Sequence, residues 1–299
     1  MSVLIVGSTA LDSIKTPVAQ GHRLLGGSAS HAAIAASFFT RVKLVGVVGD
    51  DFPQAYLELF RRRKIDLTGL ELRKGKTFFW AGEYEPDMNR RRTIKTVLGV
   101  FETFKPQLPE PHRAAKFVLL ANIAPTLQLH VLEQMRNPRF VAADTMDLWL
   151  NTALSDLLKL LSRVDAFILN DSEARHLTGE INLLRAAIKI TKLGPKYVII
   201  KKGEHGAILW DGARPFIAPA YPLANVVDPT GAGDTFAGAL VGYLASARTS
   251  LPAAIRRGMI YGSVVASFCC EGLGLQRTAK LTRQQIERRL AELKRLCSF

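Results

Sequence analysis

This chain is poor in cysteine and in acids, and it lacks both a long apolar run and a low-complexity linker. Its three cysteines, Cys269, Cys270 and Cys297, are odd in number and form no spaced framework. That argues against a disulfide scaffold and for a reducing cytoplasm. Cys269 and Cys270 lie in an apolar helical run and read as core. No apolar run reaches the roughly 18 residues that span a bilayer, so no membrane partner is expected. The start, Met1-Ser2-Val3-Leu4-Ile5-Val6-Gly7, has no basic leader region or cleavage site and reads as a first strand. Acids are outnumbered, 26 against 40 Lys and Arg, for a formal charge of +14. The bases are dispersed, at Arg61-Arg62-Arg63-Lys64, Arg90-Arg91-Arg92, Arg256-Arg257, Arg288-Arg289 and Lys294-Arg295. With no helix-turn-helix, zinc-finger or RNA-binding signature, nucleic acid is not an expected partner. A solvated basic surface that attracts anionic nucleotides is the expected outcome.

What is present is a long, regular alternation. The 299 residues are 48% hydrophobic, enough to bury one large α/β domain or two smaller ones. Strand-like runs at 3–7, 43–48, 117–121, 140–143, 166–169 and 197–201 are separated by helical runs at 28–39, 53–63, 126–135, 150–162, 172–178 and 183–193. That pattern predicts a mostly parallel sheet covered on both faces. Residues 206–210 and 215–219 predict a hairpin about Asp211-Gly212. Helices are expected at 234–247, 252–270 and 282–296, the last opening on the capping box Thr282-x-x-Gln285. Residues 70–101 break the rhythm. Period-two alternation there puts Phe78, Trp80 and Tyr84 on one face and Thr77, Ala81 and Glu83 on the other. With 15–25, this segment predicts a small antiparallel sheet over one end of the main sheet; the alternative is a surface hairpin.

The most specific string is Asp228-Pro229-Thr230-Gly231-Ala232-Gly233-Asp234-Thr235-Phe236, followed by a small-residue helical run. Its glycines leave the backbone uncrowded, and the first N–H groups of the following helix lack intrahelical partners. Such donors face an anion with the helix dipole behind them. Asp234 is the charged side chain at that helix start. A cradle of donors beside a carboxylate suits phosphoryl transfer to a hydroxyl, the donors holding charge and the carboxylate taking the proton. The alternative is that Asp228 and Asp234 are ordinary helix caps around a turn.

The string resembles the C-terminal signature of the PfkB family of carbohydrate and nucleoside kinases, in the ribokinase-like superfamily. The family form reads Asp-Thr-Thr-Gly-Ala-Gly-Asp-x-Phe, and this chain departs from it at Pro229. The glycine pair Gly26-Gly27, the order of elements and the run Asn170-Asp171-Ser172-Glu173 extend the resemblance along the chain. It implies a single ribokinase-like domain over 1–299, a three-layer α/β/α fold with a mostly parallel central sheet. A small β lid from about 13–26 and 70–101 would close over the substrate and serve a homodimer. The implied activity is ATP- and Mg2+-dependent phosphorylation of an alcohol group on a small polyol. Asp234 would be the general base, with the backbone N–H groups of Gly231, Ala232, Gly233 and Asp234 as the anion hole. Asp12, Gly26, Gly27 and His31 would line the acceptor site. Asn170, Glu173, Lys201, Gly203 and Gly206 would surround the nucleotide phosphates, with Asn170 and Glu173 organising Mg2+ through water. Asp228 and Thr230 match positions that bind a monovalent cation such as K+.

Departures from the family pattern bear on the substrate. His31 stands where many sugar kinases of the family have Asn. Asp144-Thr145-Met146-Asp147-Leu148-Trp149 keeps the first residue of an Asp-x-Asn-x-Arg pattern but has Met146 and Leu148 at the others, which counts against a sugar acid. Lys201-Lys202-Gly203-Glu204-His205-Gly206 stands where many relatives have Thr-x-Gly-x-x-Gly; Lys201 or Lys202 would touch ATP phosphates or simply solvate the strand end. Arg90, Arg91 and Arg92 at the lid tip suit phosphate or solvent. A sugar is the default acceptor. The alternatives are a nucleoside, with Phe78 and Trp80 stacking on its base, myo-inositol, or a non-catalytic sugar- or nucleotide-sensing protein.

Overall fold

Strand β1 (Ser2–Val6) divides its side chains between two cores, Val3 and Ile5 entering one and Leu4 and Val6 the other. A strand buried on both faces belongs inside a covered sheet. The computed structural model, which describes residues 1–298, places it there. The remaining strands are β2 (Ala10–Lys15), β3 (Gln20–Gly26), β4 (Arg41–Gly49), β5 (Ile65–Arg73), β6 (Phe78–Tyr84), β7 (Arg91–Val97), β8 (Phe117–Leu120), β9 (Phe140–Asp144), β10 (Ala166–Asn170), β11 (Tyr197–Lys201), β12 (Ala207–Trp210) and β13 (Pro215–Ala218). Nine of them form one sheet in the order β13-β12-β11-β10-β9-β8-β1-β4-β5, parallel except for the β12–β13 edge. Helices Ser28–Ser37, Gln54–Arg62, Ala232–Ser246 and Leu251–Cys269 feed the core on one face. Pro125–Gln134, Leu154–Leu161, Asp171–Thr178 and Leu183–Thr191 feed the core on the other. The expected α/β architecture with its mostly parallel, doubly covered sheet is therefore present.

The capping box at Thr282 is present too: Gln285 N donates to Thr282 Oγ1 at 3.3 Å and Thr282 N to Gln285 Oε1 at 2.9 Å, opening helix Arg283–Leu296. The helix expected over 150–162 is instead two helices, Asp147–Thr152 and Leu154–Leu161. Ala153, at φ −142° and ψ 33°, breaks the run.

The other four strands form a separate sheet in the order β3-β2-β6-β7. Two expectations about it need correction. Residues 70–73 belong to β5, the edge of the large sheet, so the second segment of the small sheet begins at Phe78. The sheet is also not wholly antiparallel, because β2 and β6 pair in parallel, Asp12 beside Trp80. Two strands separated by a long piece of the main fold can enter a sheet in the same direction, whereas a hairpin cannot.

Candidate active site

The nine-residue string turns into helix Ala232–Ser246 at Gly231, which sits at φ 75°, a conformation that favours glycine. A Cβ at Gly231 would stand 2.3 Å from the ring of His31, which packs directly beneath it. Ala232 N donates to Pro229 O at 3.1 Å. Gly231, Gly233 and Asp234 are left as the backbone N–H groups of the turn with no backbone acceptor among the described residues. The proposed four-donor cradle is thus reduced by one. Below it, Asp228 is 0% exposed, its two oxygens accepting from Thr230 N and Gly274 N, each at 2.8 Å.

Charge converges on the helix start. Lys201, at the end of β11, lies 3.3 Å from both carboxylate oxygens of Asp144, at the end of β9. A Cβ on Gly233 would stand 2.9 Å from the Lys201 Nζ, so the ammonium rests against the turn. Burial pulls the Lys201 pKa down, but the carboxylates of Asp144, Glu173 and Asp234 outweigh it and the pKa is raised. Asp234 is raised well above the ordinary carboxylate range by burial and by Asp144, while Lys201 and Arg91 pull it back. This geometry settles which lysine faces inward: Lys201 does. Asp144, seen in the sequence only as the remnant of another motif, is its partner. Residues at the ends of neighbouring parallel strands share one rim, and that rule is the signal by which the pair could have been found.

Asn170 and Glu173 form a capping box at the start of helix Asp171–Thr178. Asn170 Oδ1 accepts from Glu173 N at 2.8 Å and Glu173 Oε2 from Asn170 N at 2.7 Å. Burial pushes the Glu173 carboxyl up to about 7, against the pull of Lys201. Gly203 opens a single tight helical turn at φ 57°, and the Asn89 side chain from the tip between β6 and β7 approaches it. Gly206 closes that turn, accepting from Lys202 N at 2.7 Å, and a Cβ there would meet the backbone of Ala218 at 2.1 Å.

On the other side, Asp12 is not at a strand end but within β2, 5% exposed, with its carboxylate lying against Gly26. Burial pushes its carboxyl up to about 8, with Asp228 and Asp234 adding to the rise and the Gly27 N–H opposing it. Gly27 itself, at φ 90°, starts helix Ser28–Ser37. Laterally paired residues of a sheet share a face. Asp12 and Trp80 are so paired, while Leu11 and its neighbour Phe79 turn to the core. The Trp80 ring lies across Gly82 and its indole N–H donates to Thr93 Oγ1 at 3.2 Å. Phe78 does not share this role, because its ring stacks on Phe101 at 5.4 Å. His31 packs below the turn, its Nε2 buried with no hydrogen-bond partner among the described residues. It is 1% exposed, its Nδ1 lies 3.8 Å from Cys269 Sγ, and burial lowers its pKa to about 4. It supports the turn from beneath.

Two hydrogen bonds that the sequence did not suggest join the small sheet to the turn. Thr16 Oγ1 donates to Val227 O at 2.9 Å, and Thr230 Oγ1 donates to the Tyr84 hydroxyl at 3.1 Å.

The model of the pfkB family of carbohydrate kinases matches residues 2–278. A cytidine kinase of Thermococcus kodakarensis is 31% identical over 252 residues, covering 81% of this chain and 88% of that protein. A nucleoside kinase of Methanocaldococcus jannaschii is 24% identical over 307 residues, covering 96% of each. Among solved structures, Giardia lamblia ribokinase superposes with a TM-score of 0.80 at 20% identity, covering 97% of this chain and 99% of that one. The M. jannaschii nucleoside kinase gives 0.78 at 19% identity, covering 97% and 98%. At these identities the structural likeness is one of fold.

Proposed function

From the premise that this chain belongs to the pfkB family of carbohydrate kinases, and is a phosphotransferase, we propose that it transfers the γ-phosphoryl group of ATP to a ribose hydroxyl of a nucleoside. The observation that carries the nucleoside is the side-by-side placement of Asp12 and Trp80 on one face of the small sheet. A buried carboxylate accepts from paired ribose hydroxyls, and an indole is a stacking surface for a base. The cytidine kinase among the relatives agrees with this choice.

In this reading the acceptor hydroxyl lies between Asp12 and Asp234. Its oxygen–phosphorus bond forms as the bond from the γ-phosphorus to the bridging oxygen breaks, the bonding pair leaving with ADP. Asp234, as carboxylate, takes the hydroxyl proton. The N–H groups of Gly231, Gly233 and Asp234 hold the charge on the moving group, and Lys201 stands behind Gly233 as a fixed cation. Among the described residues no cluster of three or more His, Cys, Asp or Glu could hold a metal. That fits an Mg2+ held mainly by phosphates and water, with Asn170 and the Glu173 oxygen outside the capping box as its protein contacts. The ion would supply charge neutralisation on the phosphates. Asp228, buried and with no cationic partner among the described residues, together with Thr230, suits a monovalent cation such as K+. Strand β7 is exposed along its whole length and is the surface that a homodimer through this sheet would use. A particle mass at the single-chain 32.9 kDa in light scattering would remove that dimer.

The test is ADP release with Mg-ATP across cytidine, adenosine, inosine, ribose, fructose and myo-inositol. Turnover is expected on a nucleoside and to be weaker on free ribose. A preference for ribose, fructose or inositol over every nucleoside would overturn the acceptor assignment. Silence on all of them, from folded protein that binds ATP, would overturn the kinase reading for these acceptors.

A further inference from the structure

One of the three arginines at the tip of the small sheet differs from its neighbours. Arg90 pairs with Asp87 at 2.8 Å and Glu85 at 3.1 Å, and Arg92 pairs with Glu83 at 3.1 Å. Arg91 has no carboxylate within ion-pair distance among the described residues. The strand register explains the difference. Arg92 stands opposite Glu83 on the outer face, where Glu83 also meets Lys15 at 2.6 Å. Arg91 stands opposite Tyr84, and directly opposed residues of an antiparallel pair share a face. On that face the Tyr84 hydroxyl reaches the turn by its bond to Thr230, while the Arg91 side chain, like all of β7, is exposed. The next residues of the tip reach further along the same site, Asn89 approaching Gly203 at the other end of the proposed nucleotide path. The charge of Arg91 is close enough to Asp234 to oppose the effect of burial there.

An exposed guanidinium with no carboxylate partner among the described residues, on the strand face that meets the turn through Tyr84 and Thr230, suits a phosphoryl group. Its planar fork matches two phosphoryl oxygens. Resting on the kinase reading above, we propose that Arg91 is a catalytic residue. It donates to the peripheral oxygens of the moving phosphoryl group from the side opposite the Gly231 and Gly233 N–H groups. Tyr84 is its positioning residue, fixing the strand pair against Thr230. The proton still goes to Asp234 and the bonding pair to ADP; Arg91 adds only charge and hydrogen bonds to the transferring oxygens.

The experiment uses the acceptor turned over best by the wild type and measures kcat and both KM values for Arg91→Ala, Arg91→Lys, Tyr84→Phe and the outward-facing control Arg92→Ala. Arg91→Ala is expected to lower kcat by about 10²-fold, the scale of removing one donor to a developing charge. The KM for ATP and for the neutral acceptor should hardly move. Guanidinium ion added to that variant should restore part of kcat, and Arg91→Lys should remain impaired. Tyr84→Phe should lower kcat less and gain nothing from guanidinium, while Arg92→Ala matches wild type. Wild-type kcat in Arg91→Ala would show a solvated tip and overturn the proposal. A rise in acceptor KM with kcat intact would also overturn it, in favour of acceptor binding. If the wild type turned over no acceptor, the kinase reading itself would fail, and this inference with it.

Discussion

The two halves of the site are built by different means. The nucleotide half is anchored in the large sheet: Lys201 and Asp144 stand at the ends of β11 and β9, with only β10 between them, and Glu173 is locked in a capping box. The acceptor half is carried by the four-stranded sheet, whose outer strand β7 is exposed throughout. That sheet meets the turn through two side-chain hydrogen bonds, from Thr16 and to Tyr84. A half fixed by strand ends and a buried ion pair keeps its geometry, and a half whose inner strands enter the core through Leu11, Leu25 and Phe79 but whose outer strand is exposed can shift at that outer strand. On the proposed function, this division puts the phosphoryl-transfer groups on one side and the acceptor contacts on the other.

Four substitutions would break or sharpen this contrast. Asp234→Asn removes the proposed base and is expected to lower kcat by about 10²–10⁴-fold, with an unchanged melting curve as the check on folding. Lys201→Met leaves Asp144 buried without its cation and should cost about 3–5 kcal/mol in denaturant unfolding, the scale of breaking a buried pair. It should also move the pH profile. Asp234 works as the carboxylate and its pKa is raised, so wild-type kcat/KM should fall as pH drops through a value above the ordinary Asp range of about 4. Lys201 pulls that pKa down, so losing it should shift the acid limb to higher pH. A limb that stays in place would show that Lys201 does not sense Asp234.

On the acceptor side the effects should be smaller and confined to one substrate. Trp80→Ala is expected to raise KM for a nucleoside about 10-fold, within the range for losing one base–aromatic stack, and to leave KM for free ribose alone. Equal changes for both would remove the base from that face. Thr16→Val removes the bond to Val227 O and the acceptor of Ala19 N, and should cost about 1–3 kcal/mol in stability, the net worth of two hydrogen bonds. If it destabilised the chain as much as Lys201→Met, the two halves would not differ as described.

Much of the nucleotide half could be read in the sequence because its signals are local. A nine-residue string ends on a helix start, an Asn and a Glu three residues apart form a capping box, and Gly203 lies in a short turn. The strand and helix order was legible for the same reason, since β1 carries its buried pattern within five residues. The errors lie where distant segments decide. Strand β5 passed unrecognised because its middle, Gly69, is buried against β4 and breaks the visible alternation. Ala153 interrupts a helix without any glycine or proline to announce it. Lys201 and Asp144 are fifty-seven positions apart and meet only through strand order. His31 packs beneath Gly231, a contact between residues two hundred positions apart that no local signal announces. The sensing-protein alternative gives way to an enzyme because the relatives matched are kinases.

The parallel pairing of β2 with β6 also constrains how the molecule comes into being. The small sheet draws its two halves from either side of β4 and β5, so it is not a cassette that could be cut out, transplanted or swapped as one continuous piece. Contacts between such distant segments carry a large loop-closure cost and form slowly. The small sheet is therefore expected to assemble after the central strands, leaving a newly made chain with its Gly231 turn in place before the four-stranded sheet has closed beside it.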